Sequence, residues 1–135
     1  MPIIQIHDLE KQRTLLAVDL RHVLDLLGTR AARSLWEVGG VAREDEALVV
    51  AGEEAADRLE ALAQSSGRIS GKLLARLAHS VYQVIWGEFR AYDAQAESPW
   101  VIVRAIDSTW YEVETDDEQV LARIRSAFKD VRRSG

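Results

Sequence analysis

The sequence predicts an α+β fold: a three-stranded antiparallel meander over residues 81–93, 99–107 and 110–114, packed by a C-terminal helix over 116–131, with a mixed, mostly helical N-terminal half. Three observations carry this reading. "VYQVIWGEFRAYD", "PWVIVRAI" and "WYEVE" are runs rich in β-branched and aromatic residues, joined by short polar connections. After them Val120, Leu121, Ile124, Ala127, Phe128 and Val131 recur at helical spacing. The 135 residues contain no repeat, low-complexity tract or Pro-rich linker, which points to a single domain over 1–135.

In chain order, Ile3 to Ile6 reads as a short strand. "LLAVDLRHVLDLLG" sets Leu16, Leu20, Val23, Leu24 and Leu27 on one helical stripe that stops at Gly28, and either Asp8 or Asp19 can cap its start. "SLWEVGGV" is a strand closing on a Gly-Gly turn, "EALVV" is another strand, and the acidic stretch between them is a loop. Residues 53–64 form a helix with Ala56, Leu59 and Ala63 inside; Glu53, Glu54 and Asp57 suit its positive end, and "SSG" stops it. Ser70 caps a further helix that turns Leu73, Leu74, Leu77 and Ala78 inward. At the last helix, Thr115 and Glu118 have the spacing at which each side chain caps the other's backbone amide.

The register of the meander follows from sorting side chains by face, because a slip of one residue reverses every side chain. With Trp86, Ile106 and Trp110 in one row, Gly87, Ala105 and Tyr111 share the next, as do Phe89, Val103 and Val113, and Ala91, Val101 and Thr115. That face is apolar or small. Gly87 there leaves room for the Tyr111 ring. The opposite face gathers Glu88, Arg104 and Glu112 in one row and Arg90, Ile102 and Glu114 in another, with Tyr92 and Trp100 completing it. Asp107, Ser108 and Thr109 form the hairpin loop, in which Thr109 is a poor fit where a left-handed residue is favoured.

Composition narrows the function. Apolar residues are 47% and charged residues 29%, ordinary for a folded chain, and there is no cysteine for a disulfide, a thiolate nucleophile or a metal site. "MPIIQIHDLEKQR" lacks a signal-peptide core, and no uncharged run is long enough for a membrane span, so a soluble, cytoplasmic protein is expected. The net charge of −5 is concentrated: Glu37 to Glu60 holds eight acidic residues against Arg43 and Arg58, and Asp107 to Glu118 holds six with no base. Such patches repel nucleic acid and favour basic partners.

Catalytic signatures are weak. His7, His22 and His79 lack metal-ligand spacing, and His22 with Asp25 reads as a surface pair one helical turn apart. Ser108 has no base in its own segment, and "SSGRISGK" lacks the spacing of a phosphate loop. Glu88 and Glu112 might suggest a carboxylate pair, but Arg104 between them keeps both ionised, the opposite of what a general acid needs. No catalytic residue, metal ligand or cofactor is therefore expected.

At "QVIWGEF", "PW" and "AIDST" the chain resembles a group of short, uncharacterised bacterial proteins. They share a Gln-x-Ile-x-Gly-Glu-Phe strand, a Pro-Trp strand and an Asp-Ser turn before a C-terminal helix. The resemblance covers residues 70–130. It implies no site residues, since the members have no known activity.

The expected function is a non-catalytic protein-binding module, most plausibly an acidic, immunity-type inhibitor of a bacterial toxin or another basic partner. Its partner-binding residues are Trp86, Glu88, Arg90, Tyr92, Trp100, Arg104, Trp110, Glu112 and Glu114, because Trp, Tyr and Arg are enriched among interface anchors. A homodimer through the tryptophans is a further possibility. The alternative is a small enzyme or ligand-binding domain with a pocket between the sheet and the N-terminal helices, using Glu88, Arg104 and His79.

Overall fold

Alternation of apolar and polar residues over most of the chain's extended segments draws them into one antiparallel sheet of eight strands. The computed structural model describes residues 1–10, 15–65 and 67–134. Strand β1 is Ile3–Ile6, followed by helix α1 Leu20–Arg33 and strand β2 Leu35–Gly39. A 3-10 turn at Ala42–Glu44 leads to β3 Val49–Ala51, α2 Glu53–Gln64, β4 Ile69–Ser70 and α3 Gly71–Ser80. The second half is β5 Gln83–Tyr92, β6 Val101–Ile106, β7 Trp110–Thr115, α4 Glu118–Ala127 and β8 Val131–Ser134.

The α+β class is as expected, but the sheet is much larger than three strands. Its order is β4-β2-β5-β6-β7-β1-β8, with β3 also paired to β5. The ladders of β5, β6 and β7 place Phe89, Val103 and Val113 in one row and Glu88, Arg104 and Glu112 in the next. Beyond them, Gly39 lies opposite Glu88 and Gln5 opposite Glu112, which carries the polar row outward on both sides.

One face of this sheet is covered. Trp36, Phe89, Val103, Val113, Ile4 and Ile6 form a single core with Leu20, Val23, Leu24 and Leu27 of α1, Leu59 of α2, Leu74 and Leu77 of α3, and Val120, Leu121 and Ile124 of α4. The buried apolar side chains of all four helices belong to this core. Tyr92, Ile102 and Ile106 are buried too, yet stand outside it, on the other face.

Asp19 locks the helical layer to the sheet. Its Oδ1 accepts from the Tyr111 hydroxyl at 2.7 Å and from the Val84 amide at 3.2 Å, tying the start of α1 to β7 and β5. Asp19 is thus the cap of α1; a helix starting near Asp8 would run through residues 11–14, outside the described residues. Helical structure continues past Gly28, which takes a left-handed φ of 75° and breaks α1 rather than ending it. Ser70 caps α3 as expected, its hydroxyl accepting from the Leu73 amide. The expected "SSG" stop falls partly on Ser66, outside the described residues, and α2 ends at Gln64.

Three local expectations are corrected. The last helix runs over Glu118–Ala127 rather than 116–131, and its cap is Asp117, whose Oδ1 accepts from the Gln119 and Val120 amides. Thr115 instead donates to the Trp100 carbonyl at 2.7 Å and accepts from the Asp117 amide. The helix stops because the Asp8 carboxylate captures the Lys129 and Asp130 amides, at 2.8 and 2.6 Å, and turns the chain into β8. At the β6–β7 hairpin the left-handed residues are Asp107 and Ser108, with φ of 50° and 56°. The Thr109 amide donates to the Ile106 carbonyl, as in a type I′ turn, which removes the expected misfit at Thr109. Beside Gly87 the space is filled by the Phe89 ring and by Leu48, not by Tyr111.

Candidate functional site

The strand register assembles an ion network on the open face. Arg104, at its centre, donates from Nε to Glu88 Oε1 at 2.7 Å and from Nη1 to Glu114 Oε1 at 2.9 Å, with Glu112 Oε2 3.5 Å away. Two arginines reach in from the rim: Arg90 Nε donates to Glu88 Oε2 at 2.7 Å, and Arg43, from the 3-10 turn, donates to Glu112 Oε1. Three carboxylates therefore meet three guanidinium groups. Glu88, Arg104 and Glu112 are only 8%, 8% and 2% exposed, so this row is as dry as many core positions. Burial opposes the charge on Arg104, but the bonds and charges of Glu88 and Glu114 outweigh it and hold the guanidinium above its usual pKa.

The aromatic residues divide. Trp86 and Trp110 are half-buried. Trp110 stacks on His7 with ring centroids 5.4 Å apart, and its Nε1 lies 3.4 Å from Glu112 Oε1. The cross-strand partner of Trp86 is Val49 of β3; the ladder with β6 begins one residue later, at Gly87 and Ala105. Trp100 departs from the expected face. It belongs to the core, donates from Nε1 to Ser34 Oγ at 2.8 Å, and carries Arg30 over its ring at 4.1 Å. Tyr92 is buried under Arg68, which lies 3.8 Å from its ring centre. Arg90 and Glu114 are half-buried members of the network's rim.

The expected pocket trio is not brought together. Glu88 and Arg104 stand on the open face, whereas His79 ends α3 and pairs with Asp25 at 3.3 Å. His22, expected beside Asp25, accepts the Asp19 amide on Nδ1. The most apolar concavity, about 320 Å³ between α1 and α3, is lined by Leu24, Gly28, Ala31, Trp36, Gly71 and Ala75, none of them a predicted site residue. A smaller one of about 230 Å³ adjoins the network and is lined by Glu37, Gly39, Gly40, Ala42, Glu88 and Arg90.

Sequence reasoning missed Arg43, His7 and Glu37 as members of this face. Arg43 gave no signal, since its partner Glu112 is 69 positions away. Glu37 was within reach: alternation in "SLWEVGG" sets it on the polar side of β2, opposite Arg90.

The net negative charge lies beside the face rather than on it. Glu44, Asp45, Glu46, Glu53, Glu54, Asp57 and Glu60 are all exposed, on the 3-10 turn, the loop after it and α2. Among the described residues no helix is long and apolar enough to cross a membrane. Comparison with known proteins returned no matching family model, no matching curated protein and no matching solved structure.

Proposed function

We propose that the chain is a non-catalytic protein-binding module, an acidic inhibitor of the immunity type that works in the bacterial cytoplasm and masks a toxin or another basic partner. The observation that carries this reading is the open sheet face itself: half-buried Trp86 and Trp110 beside a dry Glu–Arg network, with no helix of the core packed over them. Aromatic and arginine anchors in a desolvated centre are the usual makings of an interface hot spot. The exposed acids of the 3-10 turn and α2 add a field that speeds the capture of a positively charged target.

Affinity capture from its host tests the reading, with the W86S/W110S double variant as control. A basic protein retained by the native chain and lost by a double variant that still melts cooperatively supports it. No stable partner, together with no toxin gene beside its own, defeats it. A dimer in sedimentation that the double variant dissolves would assign the face to a second copy instead.

A further inference from the structure

The polar row of the open face has a gap at one position. Gly39 stands where the row Glu88–Arg104–Glu112 continues onto β2, directly opposite Glu88, and contributes no side chain. The gap is the 230 Å³ depression, walled by Gly40 and Ala42 on one side and by Glu37, Glu88 and Arg90 on the other. A Cβ added to Gly39 would meet nothing within 4 Å, so the backbone does not require glycine there. Gly40 differs: a Cβ there would strike the Glu46 carbonyl, so it is needed to fold the 3-10 turn back.

Charge in the depression is unbalanced. Both Glu88 oxygens are taken, one by Arg104 and one by Arg90. Glu37 has no ion-pair partner among the described residues, although it lies across from Arg90 and beside the Tyr92 hydroxyl. One carboxylate is thus left over at a notch the width of a single side chain, next to the exposed Glu44, Asp45 and Glu46.

We propose that this notch seats one basic side chain of the partner, an arginine or lysine whose cationic head pairs with Glu37 and whose stem lies along Gly39 and Gly40. The proposal deepens the reading of the chain as a binder of basic partners and rests on it. Glu37 is its acceptor, Arg90 its neighbour on the strand, and Gly39 the space.

Amide chemical shifts test it directly, using the tripeptides acetyl-Gly-Arg-Gly-amide, acetyl-Gly-Lys-Gly-amide and acetyl-Gly-Gln-Gly-amide as probes. The Arg and Lys probes are expected to shift the Gly39 and Gly40 amides saturably, and the Gln probe is not. Glu37→Gln should weaken the response about tenfold, the loss of one charge-assisted contact. Gly39→Leu, which fills the space, should abolish it; Glu37→Gln keeps the test open if the leucine variant fails to fold. Equal shifts with the Gln probe, or an unchanged response in both variants, overturn the notch. Affinity capture separates the two proposals. If the basic probes bind but no host protein is retained, the partner reading fails and the notch stands. A host partner held equally by the native chain, Glu37→Gln and Gly39→Leu leaves the partner reading standing and removes the notch.

Discussion

Phe89, Val103 and Val113 on the helix-covered face and Glu88, Arg104 and Glu112 on the open face are neighbouring rows of the same three strands, and both rows are buried. They are dry for different reasons. The apolar row is covered by α-helices, and its burial stabilises the fold by the area removed from water. The charged row has no helix above it and is shielded largely by its own long side chains and by Arg43 and Arg90 at the rim. Pairing there does little more than offset the cost of desolvation. Stability should therefore reside in one face and recognition in the other, and substitutions on each can break that division.

The largest expected effect is on the covered face. Phe89→Ala should cost about 3–5 kcal/mol in denaturant unfolding, since Phe89 is fully buried and its cavity cannot collapse freely between strand and helices. On the open face, Arg104→Ala should cost nearly as much, about 3 kcal/mol, because it strands Glu88, Glu112 and Glu114 around an empty centre. Replacing Glu88, Arg104 and Glu112 together by Leu, Met and Leu should recover most of that loss while abolishing partner capture. If the triple variant is as unstable as the single one, the charged row is structural and the division between the faces fails.

A smaller effect separates the faces by pH. Burial first, and then the neighbouring Asp19 carboxylate, push the Tyr111 pKa well above its ordinary 10.0. The unfolded chain thus loses that proton first as pH rises, so stability is full below pH 10 and falls above it. Tyr111→Phe should cost about 1–2 kcal/mol at neutral pH, by depriving Asp19 of a donor, and should flatten the alkaline limb of the melting curve. The smallest effect belongs to the open face. Desolvation, then Arg132, lower the His7 pKa below 6.5 against a weaker pull from Asp130. Stability is accordingly full above pH 6.5 and declines as pH falls through it towards the lower folded value. His7→Gln should remove that slope without moving the alkaline limb.

The parts of this architecture that were legible in the sequence are those fixed by neighbours. The register of β5, β6 and β7 follows from alternation within "WGEFRAY", "VIVRAI" and "WYEVE", where a slip would have buried Glu112 among helices. Distant residues decided what was not legible. Val131 continues the helical stripe of α4, and only the Asp8 carboxylate, 121 and 122 positions earlier, makes it a strand. Trp100 follows a proline at the mouth of β6, and its assignment to the core depends on Ser34 and Arg30 from the end of α1 and just beyond it. The candidate face was readable in its Glu–Arg rows, whereas the reach of Arg43 and the notch at Gly39 required β2 and the 3-10 turn to be placed in space.

Strand β1 sits between β7 and β8, so that Ile3 faces Glu114 on one side and Ser134 on the other. The hairpins β5–β6 and β6–β7 close across short loops, whereas β1 must find partners separated from it by most of the sequence. The entropy of closing so long a loop grows only slowly with length, but the search it imposes slows folding. Residues made early in synthesis must therefore wait for much later ones before they have a place. That makes β1 the seam of the sheet, and its amides should exchange with solvent sooner than that of Phe89.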